Sequence, residues 1–364
     1  MQKKCYDYPI EFVDDVFGES PVLADILNAG QHKKKPRIVI IADYNVVQQT
    51  PGLGAKIGKY VNDHFIRLVS NPMVASGGEK IKADSLQTAL AAINMILEAR
   101  LGKCDAVIAL GGGALLDVAG YAASQVRGGV NLIRIPTTPL AMMDSSYADY
   151  AAVDTSNVKD ALRVPSKPMA TLIDTSFART VLEGVWCAGF CEAIRQAVPQ
   201  DAALFRKLVK LLPDYKHRDD KALRTVVESV CKLRMKKGAT GFALWSANRM
   251  QAMSSYKLPH GYAVPIGIVI EALYAKNCGY VDDDVVSVIQ ETINGCDMMD
   301  SFARSQHILC KTESLLFGLD AWALVAGSPD VTVLNGIGKS KTEVEPDKAA
   351  YENALKAILI PPNA

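Results

Sequence analysis

What most limits how this chain can fold is a recurrence in its first half. Short aliphatic or β-branched runs, each stopped by an acid, a glycine or a proline, alternate with stretches long enough for a helix. Arg37-Ile38-Val39-Ile40-Ile41-Ala42 ends at Asp43, and Asp105-Ala106-Val107-Ile108-Ala109-Leu110 runs into Gly111-Gly112-Gly113. Asn131-Leu132-Ile133-Arg134-Ile135 is stopped by Pro136, and Ala170-Thr171-Leu172-Ile173 ends at Asp174. Runs that are apolar on both faces suit parallel strands covered by helices on both sides. One intervening segment carries Leu86, Leu90, Ile93 and Leu97 on a single helical face, with Asp84 or Ser85 as its N-cap. This βαβα order predicts a doubly wound, Rossmann-like α/β domain.

After about residue 175 the texture changes. Helices are expected near 177–198, 201–213, 218–237, 240–254, 259–277 and 283–296, with few β-rich runs before Val331-Thr332-Val333-Leu334. The expected architecture is therefore α/β plus all-α, with residues 1–175 forming the doubly wound domain and 176–364 a mostly helical one.

Forty Lys+Arg against 39 Asp+Glu leave a net charge of +1, which argues against a nucleic-acid or anionic-membrane partner. The 49% hydrophobic fraction is enough for a full core, and no apolar run reaches the ~18 residues of a membrane span. The polar start MQKKCYDYPIEFVDD predicts no secretory leader and a cytoplasmic protein. The eight scattered cysteines, with Cys187 and Cys191 inside a helical stretch, read as reduced thiols used as small hydrophobes.

Several residues carry chemistry. Gly111–Gly113 follows a strand and opens a helix, where backbone N–H groups can approach a phosphate; the spacing is not GxGxxG, and a tight turn is the alternative. Asp43, at a strand's carboxyl end, suits a ribose hydroxyl or a simple cap. Pro136-Thr137-Thr138 puts two hydroxyls where ligands bind in open sheets, and Asp144-Ser145-Ser146 follows. Lys159 and Asp160 fall in a loop-like stretch from Thr155 to Pro168. Glu192 and Arg195 share one helix face within an apolar flank, which argues for a buried pair rather than a surface one. Of five histidines, only His260 sits in an apolar, glycine-punctuated context, as a ligand or as a core residue.

Taken in order, these strings make the chain resemble the dehydroquinate synthase family of sugar phosphate cyclases. The matching pieces are Gly78-Glu79-Lys80-Ile81-Lys82, Gly111-Gly112-Gly113 with Asp117, Arg134-Ile135-Pro136-Thr137-Thr138, Asp144-Ser145-Ser146, Phe177-Ala178-Arg179-Thr180, Gly189-Phe190-Cys191-Glu192-Ala193-Ile194 and His260-Gly261-Tyr262-Ala263-Val264. The resemblance implies an N-terminal NAD domain, a helical metal and substrate domain, a cleft between them and a homodimer. It implies transient oxidation of a ring hydroxyl by NAD, phosphate elimination, re-reduction and ring closure, with zinc polarising the oxidised oxygen. By position, Asp43, Glu79, Lys82, Gly111, Gly112, Gly113, Asp117, Thr137, Thr138, Lys159 and Thr180 match the NAD-contacting set.

The other half departs from the pattern. The family's metal ligands are a glutamate and two histidines, and Glu192 and His260 match the first and last. The middle ligand belongs to Gly-His-Thr-x-Gly-His-Ala, whose counterpart is Leu244-Trp245-Ser246-Ala247-Asn248-Arg249-Met250. Trp245 stands in the ligand's place, and an indole has no lone pair to donate. Arg249 replaces that motif's second histidine, and no other histidine lies between 217 and 260. Family lysines become Tyr150 and Arg195, Lys-Asn becomes Lys159-Asp160, and Asp-Lys-Lys becomes Asp320-Ala321-Trp322. The expectation is a metal-poor pocket of Tyr150, Trp245 and Trp322 with Arg195 and Arg249. Glu192, His260, Arg195, Lys159 and Asp144 would form its polar core, and His260 is a possible acid/base. The expected function is NAD-dependent redox or elimination–cyclisation on a small polyol or keto acid. Alternatives are a genuine 3-dehydroquinate synthase, an inactive NAD-binding relative, and a polyol dehydrogenase of the iron-containing group.

Overall fold

A computed structural model describes residues 6–29, 35–84, 86–155, 158–326 and 330–359. The chain divides into two compact units, Tyr6–Leu182 and Glu183–Ala364. The division falls later than the expected residue 175. A helical turn over Thr175–Thr180 stays with the first unit because Phe177 is buried in that unit's core.

In the first unit, β1 (Ile10–Phe12), α1 (Val22–Asn28), β2 (Arg37–Asp43), α2 (Tyr44–Gln49), α3 (Leu53–Asp63), β3 (Arg67–Leu68) and β4 (Met73–Ala75) lead into α4 (Gln87–Glu98). Then come β5 (Ala106–Gly111), α5 (Gly113–Gln125), β6 (Asn131–Pro136), α6 (Pro139–Met143), β7 (Tyr150–Thr155), β8 (Val158–Pro165) and β9 (Ala170–Ile173). The sheet runs β1-β9-β6-β5-β2-β3, with β4 also on β2, and every pairing is parallel. Alternation along β2 and β5 sorts side chains between two cores. Ile38, Ile40, Ile108 and Leu110 pack with α1 and α3, whereas Val39, Ile41, Val107 and Ala109 pack with α4 and α5.

Two local expectations change. The stretch from Thr155 to Pro168 is not a loop: β7 and β8 form an antiparallel hairpin, and Lys159 and Asp160 lie on its mostly exposed strand. That strand's polar, solvent-facing residues hid its period. On α4, Ala89, Ala92 and Ile96 form the buried face, while Leu90 and Leu97 are 53% and 42% exposed. Small alanines let the helix seat closely, so the larger leucines turn outward. The N-cap residue of α4 is Leu86, not Asp84, although Asp84 accepts from Thr88 N at 2.9 Å; Ser85 lies outside the described residues.

The second unit has α7 (Glu183–Ala197), α8 (Ala202–Lys216), α9 (Asp220–Lys237), α10 (Leu244–Met253), α11 (His260–Asn277), α12 (Asp283–Gly295), α13 (Met299–Leu309), α14 (Thr312–Ala326) and α15 (Lys348–Ile358). A small hairpin, β10 (Val331–Leu334) with β11 (Ser340–Glu343), precedes α15. Helix α11 is apolar nearly all round, and it packs against α7, α10, α12 and α15 as the unit's central helix. Cys187, Cys191 and Cys296 are buried free thiols; burial pushes Cys187 up to about 12, so it stays protonated. Cys5 lies outside the described residues.

Candidate active-site elements of the two units

In the first unit the chain leaves β2 toward β3 on one side and reaches β5 on the other. The carboxyl ends of β2 and β5 therefore flank a topological switch point, where open α/β sheets bind ligands. Asp43 closes β2, Gly111 closes β5, Gly112 is the N-cap residue of α5 and Gly113 its first residue. Gly113 lies in close approach to a neighbour: a Cβ there would sit 2.5 Å from Ser145 Oγ. Likewise a Cβ on Gly77 would sit 2.2 Å from Asp43 Oδ2. Asp43 does cap α2, accepting from Asn45 N at 2.8 Å, and burial pushes its carboxyl above the usual aspartate range. Thr137, at the end of β6, is buried, and its Oγ1 has no protein partner. Thr138 caps α6 by accepting from Ala141 N at 3.2 Å. This edge is a backbone-lined cradle with an unpaired hydroxyl, and it fits a dinucleotide's phosphates and ribose.

The cationic members of the matched set are each paired with carboxylates of the same unit. Lys82 is buried, with Nζ 2.7 Å from Asp117 and 2.6 Å from Asp160. Burial opposes its charge, but these carboxylates overrule it and hold the ammonium well above its ordinary range. Asp160 is likewise opposed by burial, yet Lys82 and Lys159 hold it below the usual range. For Asp117 burial wins, and its carboxyl is raised. Lys159 pairs with Glu79 at 2.9 Å. The ring of Tyr150 lies under the Arg163 guanidinium at 4.3 Å; burial first, then Asp160, pushes its phenol up to about 12. Asp144 caps the turn Ser145–Tyr147 through its carbonyl, which accepts from Tyr147 N at 3.0 Å. Thr180 is exposed, its hydroxyl donating to Phe177 O at 3.2 Å.

In the second unit, Glu192 and Arg195 are both fully buried on α7 and form a two-pronged pair. Arg195 Nε donates to Glu192 Oε2 and Nη2 to Oε1, each at 2.8 Å. Gln196 Nε2 adds a bond to Oε1 at 2.7 Å, and Arg195 Nη1 donates to Thr240 O (2.8 Å) and Phe242 O (3.2 Å). His260 opens α11, with Nδ1 2.9 Å from Gln251 Oε1, a contact that fixes the plane of the ring.

The expected aromatic pocket wall is corrected for Trp245. Its indole is buried and donates to Glu271 Oε1 at 2.5 Å, so it belongs to the core. Gly267, one turn before Glu271, makes this possible: a Cβ there would sit 2.7 Å from Ala243 O, just ahead of α10. Tyr351 donates to the same carboxyl, at 2.9 Å to Oε2, and burial pushes Glu271 up to about 8. Sequence reasoning missed Glu271, although it is the lone charge in an apolar helix, Tyr262 to Ala275. Arg249 is directed to α14: Nε donates to Ser314 O at 2.7 Å, and its guanidinium lies 5.4 Å over Phe317. Trp322 Nε1 donates to Asp330 O at 3.1 Å.

The two units thus define an open parallel α/β fold with a phosphate-type glycine turn and a helical partner carrying a buried acid. The chain belongs to the dehydroquinate synthase-like family. The family profile 3-dehydroquinate synthase N-terminal matches residues 72–186. A 3-dehydroquinate synthase of Sulfurisphaera tokodaii is 30% identical over 238 residues, covering 62% of this chain and 66% of that protein. One of Shewanella halifaxensis is 29% identical over 303 residues, 80% of each chain. Among solved structures, 2-epi-5-epi-valiolone synthase from Streptomyces hygroscopicus subsp. jinggangensis, with NAD+ and Zn2+ bound, superposes with a TM-score of 0.83 at 21% identity over 98% of each chain. A 2-deoxy-scyllo-inosose synthase complexed with carbaglucose-6-phosphate, NAD+ and Co2+ gives 0.77 at 18% identity, over 97% of this chain and 98% of that one. At these identities the two structures speak for the fold alone.

Proposed function

We propose that this chain is a dinucleotide-dependent enzyme of the sugar phosphate cyclase type. Its substrate would be a small polyol or keto acid, with or without a phosphate, and its reaction a transient alcohol oxidation coupled to elimination or ring closure. The observation that carries the reading is the sheet edge: a glycine turn at the β2/β5 switch point beside a buried, unpartnered Thr137 hydroxyl. NAD, when bound, supplies a hydride acceptor.

The rest is the work of the chain's own groups. The N–H groups of the Gly111–Gly113 turn bind pyrophosphate, Asp43 accepts from a ribose hydroxyl, and Thr137 and Thr138 line the same edge. His260, positioned by Gln251, exchanges a proton at Nε2. Lys82, Asp117, Asp160, Lys159 and Glu79 hold the β7–β8 hairpin to the sheet side of the site through their ion pairs. Tyr150 and Asp160, in place of the family's lysine and asparagine, favour a substrate other than the heptulosonate phosphate. A cytoplasmic homodimer without nucleic-acid or membrane partners belongs to the same proposal. No helix among the described residues is long and apolar enough to cross a membrane.

A second reading, 3-dehydroquinate synthase itself, is favoured by the names of the relatives. Calorimetric titration with NAD+ comes first, followed by a phosphate-release assay on the heptulosonate phosphate and an NADH-absorbance screen of polyols. The proposal expects NAD+ binding with no phosphate release from that substrate. Phosphate release establishes the second reading, and NADH build-up on a polyol establishes a dehydrogenase. Failure to bind NAD+ overturns all three.

A further inference from the structure

The residues that the family resemblance assigns to a divalent cation do not fit one in this chain. A zinc ion with protein ligands takes lone pairs at about 2.0–2.3 Å, usually from three side chains in a catalytic site. Glu192 has little left to offer: Oε1 already accepts from Arg195 Nη2 and Gln196 Nε2 at 2.8 and 2.7 Å, and Oε2 accepts from Arg195 Nε at 2.8 Å, which leaves it one lone pair beside a fixed guanidinium. The guanidinium cannot simply swing aside. Its Nη1 is anchored on the carbonyls of Thr240 and Phe242, in the link between α9 and α10, and displacement would leave a buried cation unpaired. The middle-ligand position holds Trp245, whose only polar hydrogen points at Glu271. Among the described residues, no three His, Cys, Asp or Glu side chains gather closely enough to hold a metal ion.

We propose that the Arg195 guanidinium is the permanent counter-cation of Glu192, standing where relatives hold a divalent cation, so that this chain keeps no metal at Glu192 and His260. The charge logic is direct. A carboxylate that would help neutralise a dication is already neutralised by a planar fork of matching geometry, and a second cation beside it would meet repulsion. The inference concerns the cation alone and holds whichever substrate the enzyme takes, or none.

The test is a metal count on the full-length chain and its Glu192→Gln variant. Each is incubated with excess zinc sulfate, desalted, and measured by plasma mass spectrometry, with thermal melts run with and without EDTA. The expected result is the same near-zero zinc content in both proteins and a wild-type melt that EDTA leaves unmoved. The variant, with Arg195 stripped of its counter-ion, melts about 10 °C lower. Close to one zinc per wild-type chain, lost in Glu192→Gln, overturns the proposal. So does a variant melting within about 2 °C of wild type, because the pair would then not be a buried, desolvated one. If the variant does not fold, the wild-type zinc count and its EDTA melt decide on their own: near-zero zinc sustains the proposal, and one equivalent whose removal lowers the melt refutes it.

Discussion

The carboxyl edge of the sheet and the surroundings of Glu192 are both built from buried polar groups, yet they are finished in opposite ways. At the sheet edge the Thr137 hydroxyl has no protein partner, and glycines keep side chains out of the turn. Around Glu192, three N–H groups from Arg195 and Gln196 already meet the carboxylate. Unsatisfied buried polar groups are costly and persist mainly where something else satisfies them. The first site leaves its hydroxyl open on a glycine-lined edge, while in the second the carboxylate itself is met and only the Gln196 amide oxygen beside it has no protein partner.

The Glu192–Arg195 pair should break expensively. Arg195→Met leaves Glu192 buried without its counter-cation, and unfolding in urea should show a loss of about 3–5 kcal/mol near neutral pH. The loss should shrink in acid, where an unpaired buried carboxyl takes up a proton. A loss under about 1 kcal/mol would mean that the pair is solvated, and the contrast with the sheet edge would vanish.

The same unit holds a second buried acid, met by a phenol and an indole where Glu192 meets a guanidinium, and its pH behaviour sharpens the comparison. Burial pushes Glu271 up to about 8, against 4.5 for an exposed glutamate, while bonds from Tyr351 and Trp245 pull the other way. The folded value is the raised one. Stability from neutral Glu271 is therefore fully present below the unfolded value and is lost as pH rises through about 8. The expected slope is at most about 1.4 kcal/mol per pH unit inside that window. Glu271→Gln keeps an oxygen for Trp245 Nε1 and supplies an N–H toward Tyr351, so it should flatten this dependence and melt above wild type in mild alkali. Melting curves at about pH 5 and about pH 9 for both proteins check it. A wild type that is equally stable at both, after other titrating groups are accounted for through the variant, refutes the assignment.

At the sheet edge the corresponding change should cost binding and not folding. Gly112 has a backbone open to any residue, φ −73° and ψ 171°, and a Cβ there would meet nothing closer than Thr138 Cγ2 at 3.5 Å. Gly112→Ala should therefore hold stability within about 0.5 kcal/mol. It should weaken NAD+ by about 100-fold, roughly 2.7 kcal/mol, because the methyl stands where the pyrophosphate must approach the backbone. Calorimetry alongside urea unfolding separates the two effects, and equal affinity in both proteins removes the turn from the site.

How much of this could be read in the sequence follows the same division. Where backbone geometry dictates residue type, the letters are informative. The runs ending at Asp43, Gly111 and Pro136 mark three neighbouring parallel strands, and Glu192 with Arg195 inside an apolar flank announces a buried pair. Where a side chain's direction decides, they are not. Lys82 reads only as a match to the family's NAD-contacting set, and nothing in the letters shows Asp117 and Asp160 closing on it from α5 and β8. Trp245 reads as a pocket wall until Gly267 admits α10 and turns the indole toward Glu271. The β7–β8 hairpin escaped because its outer strand has little apolar alternation to show.

Helix α4 gives the smallest effect and the clearest case of direction beating composition. Its leucines make the more apolar stripe by sequence, but the sheet lies against Ala89, Ala92 and Ile96, with Leu90 half in solvent. Free energy follows the area a side chain removes from water and the packing it makes, not the size of the residue named. Leu90→Ser, which deletes an entire isobutyl group, should therefore change unfolding free energy by no more than about 0.5 kcal/mol. Ile96→Val, which deletes one methyl from a fully buried site, should cost about 0.5–1.5 kcal/mol. Paired urea titrations would show the inversion. Were Leu90→Ser the costlier of the two, the outer face of α4 would have to be covered in solution, and a dilution series of the same variant would tell whether a second copy of the chain covers it.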